Sequence, residues 1–398
     1  MARSANDSMS SIAGIPNTQP RASSQRKLVT AAQVSFLPTG VLTTLLGPML
    51  PLLIADWSLN DRLAGSLFLV QFLASLAGVL LSGFLLARLG YRPAFLSGLL
   101  LMAAGVATLD LGSRPLGIAS VAVYGLGLGL IIPTGNLLIA EVSSDSRSSA
   151  VSLLNFFWGV GAVFCSLMVA WTAAHKLVPL FLGSVSLFLV LLVLATRGLP
   201  FPPAVGASSA PPVRWREIAR SPAIWLFAAV FFLYPGAETA VGGWIGSYLS
   251  RLRPGEIRMA PMMPAFFWAA LTTGRALGTL FLSHASERHV LRAGFAMASL
   301  GIVSMLWAST MLQVIVGALV TGLSYATLYP ITVARFSHRY GVGARSIGPV
   351  MFSLAAIGPA VIPWLVGVVS QATGSLRAGL YLTLAATVVL LLIHLGDW

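Results

Sequence analysis

The stretch Gly83-Phe84-Leu85-Leu86-Ala87-Arg88-Leu89-Gly90-Tyr91-Arg92, with Gly78 before it and Phe95 after it, decides how this chain is built, because its key residues occur twice. Gly78, Arg88, Arg92 and Phe95 return 200 positions later as Gly278, Arg288, Arg292 and Phe295. Gly125-Leu126 and Pro133 return 197 positions later as Gly322-Leu323 and Pro330. Two sets of matches at nearly one offset mark a duplicated unit. In both copies the basic residues sit in a short loop between long apolar runs, which is where a membrane protein carries its cytoplasmic charge.

Working outward, the rest of the chain has the composition that such a reading needs. Of 398 residues, 57% are hydrophobic and 9% charged, with a mean hydropathy of +0.87, which excludes a soluble fold with a wetted surface. Twelve apolar runs, roughly 28–55, 62–87, 93–112, 115–141, 147–173, 177–197, 222–250, 259–284, 290–310, 311–336, 344–370 and 375–396, are each near the ~20 residues that cross a bilayer. The expected fold is an all-α membrane protein of twelve transmembrane helices in two pseudo-symmetric six-helix bundles, residues 28–197 and 222–398. Residues 1–27 read as a polar, disordered tail, and residues 198–221, rich in Pro, Ala and Ser and ending in Arg214, Arg216, Glu217 and Arg220, as the linker between the bundles. Repeats of equal polarity joined in this way are how rocker-type secondary transporters are built.

Charge sets the orientation. Sixteen Lys and Arg fall on the side that holds the tail, the linker and the 2/3, 4/5, 8/9 and 10/11 loops, and seven on the other, so the termini and linker are expected in the cytoplasm and the chain in the cell membrane. The exception is the 7/8 loop, with Arg251, Arg253 and Arg258, read as a solvated loop in preference to an anion-attracting vestibule. The net charge of +13 is thus a topology signal, and no nucleic-acid partner is expected. The lone Cys165 reads as a packing residue. Gly125-Leu126-Gly127-Leu128-Gly129 imitates a dinucleotide loop but lies inside an apolar run with no strand before it, and His284, Glu287 and His289 cluster at a helix end beside Arg288. Neither a cofactor nor a metal is expected, and the loops are too short to hold an enzyme domain. Lipid and a solute are the expected partners, for a chain acting as a monomer.

The stretch from Gly83 to Arg92 resembles the loop signature of the major facilitator superfamily, whose fold of two six-helix bundles rocking about a central site would cover residues 28–396. That pattern has Asp where this chain has Ala87, so Glu287-Arg288 in the second copy is the candidate substitute for the missing carboxylate latch; the resemblance implies a gating role for Arg88, Arg92, Glu287 and Arg288. Three stretches are similar to the fucose permease branch, which carries sugars with protons: Gly40-x6-Gly47-Pro48-x2-Pro51, Leu154-Asn155-Phe156-Phe157-Trp158-Gly159-Val160-Gly161-Ala162, and Tyr234-Pro235-Gly236-Ala237-Glu238. The branch's acids in spans one and four have no counterpart here, so the same coupling chemistry does not carry over.

Glu238 is the one acid near the middle of any span, and an ionisable group there is costly enough to indicate a working residue. Pro235, Gly236, Gly242 and Gly243 around it are expected to let that helix kink or partly unwind. Gln71, Asn136, Asn155, Trp158, Glu238, Trp244, Trp268, Tyr325 and Tyr329 are the candidate solute-binding residues, since amides beside flat aromatic faces suit a sugar or another polyhydroxylated compound. The amides also fit helix-to-helix bonding, and the aromatics packing. Arg275 cannot shed its charge and needs either Glu238, a solute or backbone carbonyls at the cytoplasmic gate. Glu238, with Arg275, is the candidate proton-coupling site. The expected function is secondary transport of a small polar solute, sugars first, with export of drugs or other amphipathic compounds as the alternative.

Overall fold

The computed structural model describes residues 22–109, 113–143, 147–204, 220–282, 286–341 and 344–396. The first bundle contains α1 (Ala22–Thr44), α2 (Leu46–Asp56), α3 (Asp61–Arg88), α4 (Tyr91–Thr108), α5 (Arg114–Val142), α6 (Arg147–Ala174) and α7 (Val178–Thr196). The second contains α8 (Pro222–Leu252), a 3-10 turn (Pro254–Met262), α9 (Met263–Leu282), α10 (Glu287–Leu306), α11 (Met311–Tyr325), α12 (Leu328–Tyr340), α13 (Ala344–Thr373) and α14 (Leu376–Leu395). Ten helices are long and apolar enough to cross a membrane when α11 and α12 are counted together, and the bent α1–α2 pair makes eleven. The 20-residue α9, whose only charge is Arg275, completes the twelve. The linker residues 205–219 and residues 1–21 of the tail lie outside the described residues.

Local chemistry fixes where these helices begin and break. Asn60 starts α3 by accepting the Leu63 N–H at 2.9 Å, and Thr310 with Gln313 forms a capping box at the start of α11. Gly90, at φ 84, makes the sharp turn from α3 into α4 that a side chain would strain. Span one bends by 41° at Leu45, where Pro48 lacks the N–H that would bind the Thr44 carbonyl. The expected opening of span seven does not occur: α8 runs unbroken from Pro222 to Leu252. Its glycines serve close packing instead, since a Cβ on Gly236 would stand 2.8 Å from the Gly358 carbonyl oxygen and one on Gly243 2.5 Å from the Phe68 ring.

The duplication read in the sequence is visible as duplicated contacts. Gly125 of α5 lies against α3, where an added Cβ would meet the Gln71 carbonyl oxygen at 2.5 Å; Gly322 of α11 lies against α9, where one would meet the Phe267 carbonyl oxygen at 2.3 Å. Arg92 donates to the Arg197 carbonyl at the end of α7, and Arg292 donates to the His394 and Leu395 carbonyls at the end of α14, at 2.8 and 2.9 Å. Each arginine thus satisfies open carbonyls at a helix C-terminus within its own bundle.

Among the described residues the bundles meet closely on one face, here called distal because it lies opposite the loops holding Arg88 and Arg288. Gly47 approaches Gly242, Gly65 approaches Trp364, and Gly367 approaches Asp61 closely enough that a Cβ on any of them would stand within 3.1 Å of the facing backbone. Asp61 at the start of α3 forms a two-armed ion pair with Arg251 in the last turn of α8, accepts from Ser370 of α13, and donates its backbone N–H to Gln371 at 3.2 Å. Arg251, expected in a solvated loop, is therefore part of a distal seal between the bundles.

Candidate functional site

At mid-span, α8 and α9 place Glu238 and Arg275 side by side. The guanidinium lies 3.5 Å from Glu238 Oε2, which also accepts the Tyr234 hydroxyl at 2.6 Å. Tyr234 is one helical turn before Glu238, so the two share a face of α8, and its hydroxyl also lies 2.8 Å from the Tyr325 carbonyl oxygen. This arrangement answers what the sequence left open: Arg275 has a carboxylate partner, and that partner is the mid-membrane acid.

The first bundle reaches the same point through α6. The Trp158 ring lies 5.9 Å from the guanidinium carbon of Arg275, within cation–π range, and stands edge-on to Trp268 at 5.7 Å. Trp158 also donates through Nε1 to Thr43 Oγ1 of α1 at 3.3 Å. Gly159, next in sequence, brings α6 against Thr272 of α9, where a Cβ would fall 2.5 Å from Oγ1. Trp158, Trp268, Glu238 and Arg275 form one cluster with both bundles as its walls. Tyr329 extends it, stacked on Tyr234 with ring centres 5.7 Å apart.

The other candidates lie differently. Gln71 is buried, donating to the Thr43 carbonyl at 3.0 Å and accepting the Tyr124 hydroxyl at 2.9 Å, so its amide ties α3 to α1 and α5. Trp244 is wholly buried and donates to the Pro363 carbonyl at 2.9 Å, and Tyr325 shares a 2.6 Å hydrogen bond with Thr387. Asn136 and Asn155 each donate to the carbonyl one turn back in their own helices, Ile132 and Val151, at 2.9 Å; Asn155 is exposed. Of the residues read as gating, Arg88 lies over Phe84 at 5.8 Å, and Glu287 at the head of α10 lines a cavity of about 610 Å³ with Arg335, His338 and Arg339. Arg288 follows Glu287 in the first turn of α10.

Sequence reading did not single out Tyr234, Thr43 or Thr272 as site residues. Tyr234 and Thr272 carried a usable signal, their one-turn spacing from Glu238 and from Trp268 and Arg275; Thr43 carried none, since its partner Trp158 comes from another helix.

Two repeated six-helix bundles with a charged, aromatic centre between them are the architecture of secondary transporters. The chain belongs to the Major Facilitator Superfamily, whose sequence profile matches residues 34–283, and it resembles the fucose permease branch. It is similar to an uncharacterised superfamily transporter of Yersinia pestis, 25% identical over 334 residues, covering 82% of this chain and 83% of that protein. Its fold is shared with the D-xylose-proton symporter, at a TM-score of 0.74 and 14% identity over 93% of this chain and 97% of that one. It is shared also with the outward conformation of the fucose transporter FucP, at 0.62 and 18% over 94% and 100%.

Proposed function

We propose that this protein is a secondary active transporter of a small polar organic solute, a sugar or sugar-like compound first, working by alternating access in the cell membrane with both termini and the linker cytoplasmic. The observation that carries the reading is the mid-span pair of Glu238 and Arg275, set in one bundle and touched by Trp158 of the other. A site walled by both bundles is exposed to one side or the other as they rock. Glu238 is the proposed proton carrier: when protonated it releases Arg275, and when ionised it takes it back, so proton occupancy is tied to a contact at the bundle interface. Trp158, Trp268 and Tyr329 offer flat faces to C–H surfaces, and the exposed Asn155 and half-buried Asn136 offer amides for hydroxyls on the first bundle's side. The named substrates of the fold neighbours, xylose and fucose with a proton, agree with this chemistry. On the proposed topology, the face closed by Asp61, Arg251 and Ser370 is the extracellular one.

The test is flux. Purified protein in proteoliposomes is expected to accumulate a radiolabelled solute from a panel of sugars, sugar acids and amphipathic cations under an imposed proton gradient. Accumulation confined to the amphipathic cations would replace the sugar-like reading with that of a drug carrier, and no flux with any class would overturn transport itself.

A further inference from the structure

Trp268, Thr272 and Arg275 lie four and three residues apart on α9 and so present one face of that helix. Each holds a buried polar atom without a hydrogen-bond partner: the indole Nε1, the hydroxyl Oγ1 and the guanidinium Nε. Trp268 is only 5% exposed, and buried groups of this kind are nearly always satisfied. Gly159 and Gly242 bring α6 and α8 against this face without side chains that could cap it; a Cβ on Gly242 would stand 3.3 Å from the indole nitrogen.

The unmet capacity is mostly that of donors. Indole and guanidinium nitrogens can only donate, and the threonine hydroxyl can donate as well. Several acceptors nearby are already used: Glu238 Oε2 by Tyr234 and Arg275, Thr43 Oγ1 by Trp158, and the Pro363 carbonyl by Trp244. What the site lacks is a ligand rich in acceptors. Charge points the same way. A mid-membrane guanidinium needs an anion, and once Glu238 takes a proton the pair no longer supplies one.

We infer that the transported solute is an organic anion, a hydroxylated carboxylate, whose carboxylate pairs with Arg275 and Thr272 while a further oxygen accepts from Trp268. This rests on the carrier reading above and narrows its substrate class. The stripe spans about 10 Å by helix rise, within reach of a five- or six-carbon acid and its hydrogen bonds. Binding and coupling then balance. The empty site holds Arg275 and ionised Glu238; the loaded site holds Arg275, the solute carboxylate and protonated Glu238, so both are neutral. The proton joins a Glu238 oxygen from the side the solute enters and leaves to the side where the solute is released, so one carboxylate and one proton cross together without net charge. The titratable and charged groups that face Glu238 are Tyr234 on its own helix, Arg275 on α9, Tyr325 on α11 and Tyr329 on α12.

Matched pairs test the inference: gluconate against glucose and galactonate against galactose, by thermal shift and tryptophan fluorescence on the full-length protein. The acid of a pair is expected to bind at least about tenfold more tightly than its neutral partner, as loss of a charge-assisted hydrogen-bond pair implies. Thr272→Val, which keeps the shape, is expected to weaken acid binding about fivefold without lowering Tm, and Arg275→Gln to remove it. In proteoliposomes, acid uptake driven by a pH gradient is expected to be unchanged when valinomycin and potassium impose a membrane potential. Equal binding of the neutral sugars, no binding of either acid, acid binding indifferent to both variants, or uptake that follows the potential overturns the inference. Proton-driven accumulation of neutral sugar would do so while leaving the carrier reading intact; acid binding with no flux of any solute would instead leave the anion site and sink the carrier.

Discussion

Glu238 joins an ion pair to a hydrogen bond at mid-span, and in the proposed mechanism it also carries the proton. Its carboxylate is the acceptor for Tyr234 and the counter-charge for Arg275, so an amide in its place keeps size and hydrogen bonding but cannot titrate. Glu238→Gln is expected to abolish accumulation driven by a proton gradient while preserving exchange of labelled for unlabelled solute. A gradient of one pH unit stores ~1.36 kcal/mol, so one-to-one coupling supports up to about tenfold accumulation, and the variant is expected to fall to about onefold. Uphill uptake by the variant would remove the coupling role; loss of exchange as well would assign Glu238 to binding or structure.

At the scale of the elements, glycine decides how closely the helices approach. Gly125 and Gly322 occupy equivalent places in the two bundles, and in each an added methyl would overlap a carbonyl oxygen of the neighbouring helix. Gly125→Ala and Gly322→Ala are each expected to force the helices apart at a cost of about 1–3 kcal/mol, seen as a lower melting temperature in detergent. Gly83 of α3, whose added Cβ would meet nothing within 4 Å, is the control: Gly83→Ala is expected to leave the melting temperature unchanged or slightly higher. Equal losses at all three positions would show that helix propensity or bilayer context, rather than close approach, sets the result.

The whole molecule is held in its present conformation by the distal seal. The Asp61–Arg251 pair links the bundles, but the Arg251 side chain is 40% exposed, so water screens it and its contribution is limited to about 1 kcal/mol. Asp61→Asn is therefore expected to raise the population open on the distal face about fivefold. Spin labels at Arg62 and Ala372, on α3 and α13, would report it as a longer-distance component, and an unchanged distance distribution would show that the glycine contacts alone hold the seal. Orientation is tested separately. A cysteine introduced at Ser208 in the linker is expected to react with an impermeant thiol reagent only after the cells are permeabilised; reaction in intact cells would invert the topology.

Composition and order along the chain were enough to establish twelve spans, a duplicated six-helix unit and one acid at mid-membrane, because hydropathy, loop charge and internal repetition are properties of the linear sequence. Partners were not. In a bilayer the lipid-facing and protein-facing sides of a helix are both apolar, so no polar stripe announces how each helix is turned about its axis. That rotation determines that Gln71 ties helices together while Trp158 faces Arg275, that Arg251 meets Asp61 across the bundles, and that the glycines of α8 admit neighbouring helices while the helix stays whole. It also sets Glu238 beside Arg275, since two side chains 37 positions apart on neighbouring helices meet only when both helices turn the right face inward.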